Sequence, residues 1–116
     1  MRSVPILAAA VAACTTTGPV LTEVRPATAA AGAQVTLRGA RLCGDAVEVV
    51  DGACTPLPSG AVDLGLRPPI VRAVPISWRD DAIVIEVPAA VAPGATTVYV
   101  TVDGRSSNGV TLEIVP

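Results

Sequence analysis

The sequence predicts an all-β fold, and three observations carry that expectation. Eleven Pro and ten Gly interrupt the 116 residues too often for long helices. The apolar half of the chain, 51% of its residues, is mostly Ala and Val, with no Phe, one Trp and one Tyr. Small and β-branched side chains fill a thin core between sheets well, and fit poorly in a bundle that wants Leu at each contact position. The apolar runs also alternate with a period of two, which a helix of 3.6 residues per turn does not accommodate.

The N-terminal stretch stands apart from that pattern. Arg2 supplies a positive start, Val4 to Ala13 is a short apolar run, and small residues precede Cys14. The run is too short to cross a bilayer, which takes about 20 residues, and it has the shape of a secretory signal. Val11-Ala12-Ala13-Cys14 resembles the lipobox of bacterial lipoproteins. That resemblance implies a thioether-linked diacylglycerol on Cys14 and cleavage just before it. Residues 1–13 would then be the signal peptide and 14–19 a lipidated tether, Thr-rich and closed by Gly18-Pro19. A thiol is the side chain nucleophilic enough for such chemistry near neutral pH. Thr15 rather than Asp after Cys14 implies, by resemblance to Gram-negative sorting rules, an outer-membrane destination facing the periplasm or the surface.

From Val20 onward the strands follow in order. A first strand closes at Pro26. Val35 and Leu37 share a face in AQVTLRG, and Val47 and Val49 do so in AVEVV with Glu48 turned away. Ile83, Ile85 and Val87 line one side of AIVIEV. Val98, Val100 and Val102 oppose Thr97, Tyr99 and Thr101, and Val110, Leu112 and Ile114 repeat the pattern. Turn chemistry falls between them at Asp51-Gly52, Pro93-Gly94, Asp103-Gly104 and Ser107-Asn108-Gly109. About six or seven such strands with no βαβ spacing predict a β-sandwich of immunoglobulin type.

Two stretches carry a family resemblance. VLTEVRPATAAAGAQVTLRGARL, residues 20–42, is similar to the opening of an IPT/TIG domain: a proline ending the first strand, a Val-x-Leu strand, then Gly39 and a large apolar residue. WRDDAIVIEVPAAVAPGATTVYVTVDGRSSNGVTLEIV, residues 78–115, resembles its second half, with Pro88 closing an Ile-rich strand and Ser-Asn before the last one. The resemblance implies one immunoglobulin-like domain over residues 20–116. A Pro- and Gly-rich insert at 53–69 departs from it.

Candidate sites are few. Cys43 and Cys54 could meet across a hairpin turning at Asp51-Gly52, and in an exported protein an even pair of thiols favours a disulfide. The rival is a two-cysteine metal site, for which nothing nearby completes a tetrahedral ligand set. Trp78 with Arg79, Asp80 and Asp81 could be a platform with an acidic pair for Ca²⁺ or sugar hydroxyls. Two adjacent carboxylates supply few of the six or more oxygens Ca²⁺ takes, so Trp78, Asp80, Asp81 and Pro88 read as a structural motif. Within the insert, Leu57, Asp63, Leu66 and Arg67 are the candidate contact residues of a binding loop.

The composition narrows function by exclusion. With no His, the commonest general base and metal ligand is missing, and Ser106 and Ser107 lack a His partner, so no enzyme and no cofactor are expected. A net charge of −2 without a basic stripe argues against nucleic acid. What is expected is a membrane-anchored envelope protein whose module binds another protein, through the 53–69 loop or a strand edge. The alternative is a spacer within an envelope assembly. Glycan binding is less well supplied, because two aromatic residues make a poor stacking platform.

Overall fold

The structure, a computed structural model, describes residues 18–45 and 47–116. The expected signal peptide and Cys14 lie outside the described residues. All regular structure among those residues is strand: β1 (Val20–Arg25), β2 (Thr28–Ala30), β3 (Gln34–Ala40), β4 (Glu48–Val50), β5 (Ala53–Thr55), β6 (Gly60–Leu64), β7 (Val71–Trp78), β8 (Ala82–Glu86), β9 (Gly94–Val102), β10 (Arg105–Ser106) and β11 (Val110–Val115). The expectation of an all-β fold holds.

Eight strands follow one hydrogen-bonded path, β1-β3-β8-β7-β6-β9-β11-β2, with β10 added to β9 and β4–β5 forming a separate hairpin. Every pairing is antiparallel except β2 with β11, which is parallel. β7 joins the two halves of the path. Its first residues, Val71 to Ala73, pair with β6, and Val74 to Trp78 pair with β8.

β1 and β2 occupy opposite ends of the path although only Pro26 and Ala27 separate them. One short segment therefore supplies both end strands of the path. This matters because an open terminal strand is a template for unwanted pairing. Asn108 covers the outer edge of β1: its Oδ1 accepts from Leu21 N at 2.8 Å and its Nδ2 donates to Leu21 O at 2.8 Å. The side-chain amide thus replaces a missing strand partner for β1.

The alternation read from the sequence fills the core. Val35, Leu37, Ile83, Ile85, Val87, Val98, Val100, Val102, Leu112 and Ile114 are all buried, and Val110 is half-buried. Together with Val62 and Leu64 of β6 they form one cluster drawn from both halves of the path. Burying each Val, Leu or Ile side chain contributes about 1.5–3 kcal/mol against leaving it in water, so this cluster is the main favourable term of the fold.

Three expectations need correction. The 53–69 stretch is not one insert loop, because it contains β5 and all of β6, a central strand flanked by β7 and β9. The eleven strands also exceed the six or seven expected, and the face shared by Val47 and Val49 is only partly a core face, since Val47 alone packs against the core. Val49 and Val50 are 44% and 49% exposed and Val47 is half-buried, because the β4–β5 hairpin stands off the main path.

Candidate functional site: the crossing of β7

The register of β7 creates an unusual surface. Ala73 and Trp78 are buried, yet Val74, Pro75, Ile76 and Ser77 between them are all exposed. In a strand, successive side chains point to opposite faces, so both faces of this stretch are bare. The cause is the change of partner: past Ala73, β7 leaves β6 and keeps only β8. Ile76 is the extra residue of a bulge, since Pro75 lies opposite Ile85 and Ser77 opposite Val84. A bulge bends the strand and strengthens its twist.

Where β7 parts from β6 a cleft of about 290 Å³ opens, floored by Trp78 and walled by Leu57 and Pro58 on one side and Pro75 and Ile76 on the other. A second depression of about 280 Å³ lies between Val74, Ile76 and Pro88, rimmed by Arg72 and Glu86. Ile76 borders both and forms the ridge between them. Leu57 is 69% exposed, Val74 73% and Ile76 51%. The result is an apolar patch with a charged rim. Pro75 offers no N–H, so the free edge of β7 is a poor template for an added strand, and recognition here falls to side chains.

Arg72 is fixed on that rim. Its Nε donates to Asp63 Oδ1 at 3.1 Å, and this hydrogen bond, then the carboxylate charge, raises the Arg72 pKa above the ordinary guanidinium value. Asp63 itself is buried on β6, the one buried charged residue found among the described residues. It is therefore an anchor for Arg72 and not a member of a contact loop.

The other loop candidates separate. Leu57 lines the Trp78 cleft, whereas Leu66 and Arg67 are exposed beyond the far end of β6, where Arg67 lines a hollow of about 250 Å³ with Pro69, Val91 and Thr96. The turn there requires Gly65, whose φ is +106° and whose N–H donates to Thr97 O at 2.8 Å. Pro88 ends the β8 run and accepts from Val91 N at 3.3 Å in a turn.

The Trp78–Asp81 motif holds structure. Trp78 Nε1 donates to Leu42 O at 2.7 Å, and Leu42 N donates back to Asp80 O at 3.0 Å. Asp80 Oδ1 accepts from Cys43 N at 3.2 Å, and Asp80 N donates to Gly52 O at 2.9 Å. Arg79 Nη2 donates to Asp51 O, and Asp81 O accepts from Gly39 N at 3.0 Å. With Asp80 so engaged, the acidic pair is not arranged as a cation site. Among the described residues no group of three or more His, Cys, Asp or Glu could hold a metal.

Cys43 and Cys54 form a disulfide, with Cα atoms 5.4 Å apart. It does not cross the hairpin, because Cys54 pairs with Val49 in the β4–β5 ladder. It ties the hairpin to the segment that follows β3. Replacing both cysteines by Ser is expected to lower stability by about 2–3 kcal/mol through the released chain entropy. Urea denaturation checks the total, and amide exchange at Val49 to Ala53 should quicken more than exchange in β3 or β9.

The sequence reading missed Val74, Ile76 and Arg72. The available signal was the stretch VRAVPIS, in which apolar residues fall on both faces of a would-be strand around a proline. No family model matches the chain, and no curated protein matches it at a significant level.

Proposed function

We propose that the protein is an envelope lipoprotein, anchored through Cys14, whose single immunoglobulin-like sandwich of the IPT/TIG type binds another protein through the apolar patch on β7. One observation carries the binding part: Leu57, Val74 and Ile76 expose apolar surface around two hollows, with Arg72 and Glu86 at the rim. Apolar centres with polar rims are the anatomy of protein interfaces. The disulfide supports an oxidising destination such as the periplasm or cell surface. The mostly antiparallel, helix-free strand path of the described residues supports the immunoglobulin-like reading. A glycan platform finds less support, since Trp78 is buried with its N–H engaged. Enzymatic chemistry and a resident cofactor are not part of the proposal.

The test is a pair of charge substitutions on the ridge, Val74→Asp with Ile76→Asp, in the full chain. These positions are exposed, so stability should change by no more than about 0.5 kcal/mol each. Crosslinking in intact cells should then lose the partner bands seen with the wild type. Retention of every band at wild-type yield would leave the module as a spacer. The anchor is tested separately by the intact mass of the exported protein, in which Cys14→Ser should abolish the lipid increment.

A further inference from the structure

The path of the chain into β1 fixes which end of the module the anchor reaches. Gly18 O accepts from Arg41 Nε at 3.0 Å, and the next residue, Pro19, is buried. Arg41 lies in the turn that leads from β3 to Cys43. Beside it, Arg105 Nη1 pairs with Asp45 at 3.9 Å, and Gly44 backs onto Asp103 of the β9–β10 turn. The entry of the chain, the disulfide and that turn therefore share one end. The Gly65–Ile70 connection lies at the other, near Thr96 and Pro93.

Chain geometry then sets a limit. From Cys14 to Gly18 a fully extended chain spans at most about 14 Å. β9 alone, from Gly94 at the far end to Val102 at the near end, runs about 27 Å. The tether is shorter than the module is long. From this, and resting on the anchor reading above, we infer that the Cys43–Cys54 end is held against the lipid headgroups while Gly65–Ile70 projects away from them. Charged side chains of both signs, Arg41, Asp45, Asp103 and Arg105, suit that hydrated layer and not the acyl core. The β7 patch falls in the membrane-near half, because Gly60, which lines its cleft, pairs with Val102. A partner would meet the patch close to the bilayer surface.

The experiment uses the lipidated full chain in nanodiscs containing phosphatidylcholine with a headgroup spin label. Paramagnetic broadening of the Gly104 and Arg105 amides should exceed that of Gly65 and Leu66 several-fold, and a long Gly/Ser stretch inserted after Thr17 should erase the difference. Equal broadening at both ends, stronger broadening at Leu66, or a difference that survives the longer tether would overturn the placement. An exported protein that carries no lipid mass and does not migrate with the discs would overturn the anchor reading instead.

Discussion

Trp78→Ala is expected to destabilise the protein by about 3–5 kcal/mol, the range for emptying a buried aromatic site. The indole is the only Trp of the chain and sits where three features meet. Its ring fills the space under Gly60, where an added Cβ would stand 3.0 Å from Cη2. Its N–H satisfies Leu42 O, and its own carbonyl lies 3.8 Å from Cys54 Sγ. Truncation would remove the ring, orphan the Leu42 carbonyl and leave the disulfide segment without its packing partner. Against the 5–15 kcal/mol total of a typical domain, roughly a fifth or more of the stability is at stake. Trp78→Phe separates the contributions: it keeps a ring and loses the hydrogen bond, worth about 1 kcal/mol. Urea denaturation followed by far-ultraviolet circular dichroism measures both variants, since the tryptophan fluorophore is gone. A loss under 1 kcal/mol for the alanine variant would show that the ring packs less than its burial indicates.

Gly39→Val should have a comparable effect by the opposite mechanism. An added Cβ at Gly39 would stand 3.0 Å from the Val20 carbonyl carbon and 3.1 Å from Leu21 Cα, and would overlap the Val20 oxygen. All three atoms belong to backbone, so no side chain can swing aside. β1 would have to lift from β3, at a bulge that already lies between Leu21 and Glu23. The expected cost is about 3 kcal/mol, the upper part of the usual range for overpacking. Its local signature should be loss of amide protection at Leu21 and Glu23, because the Asn108 clamp opens with the strand. Wild-type protection at Leu21 in a folded variant would show that the clash is absorbed elsewhere.

Gly39 also illustrates what the sequence makes legible. Its place after a Val-x-Leu strand is visible as a pattern, while the reason for it, a carbonyl of β1 pressed against its Cα, depends on which strand lies alongside. β3, β8, β9 and β11 were legible because each buries one face, which writes a two-residue period into Val35/Leu37, Ile83/Ile85, Val98/Val100/Val102 and Leu112/Ile114. β6 and β7 were not. In β6 the outward position is Asp63, buried by Arg72, and the strand lies in Pro- and Gly-rich surroundings that resemble a loop. In β7 the change of partner leaves Val74 to Ser77 bare on both faces and a proline inside the strand, so local propensity and tertiary role disagree there. Strand existence is a local property, whereas exposure of the β7 patch depends on β6 departing at Ala73. For the same reason Leu57 and Leu66 read as members of one loop, until a whole strand is found between them. The Cys43–Cys54 pairing was legible as chemistry, but its partners in space, the hairpin and the segment after β3, were not.

The arrangement of β2 beside β11 has a mechanical meaning. The two run parallel, pairing Thr28 with Glu113 and Ala30 with Val115, one just after the start of the domain and the other at its end. Once β1 has parted from β3, tension between residue 18 and Pro116 pulls β2 and β11 along their common axis in opposite directions. Every bond of the ladder then shares the load at once and shears, instead of unzipping one bond at a time. A domain tethered at one end and pulled at the other would be gripped by its second and last strands.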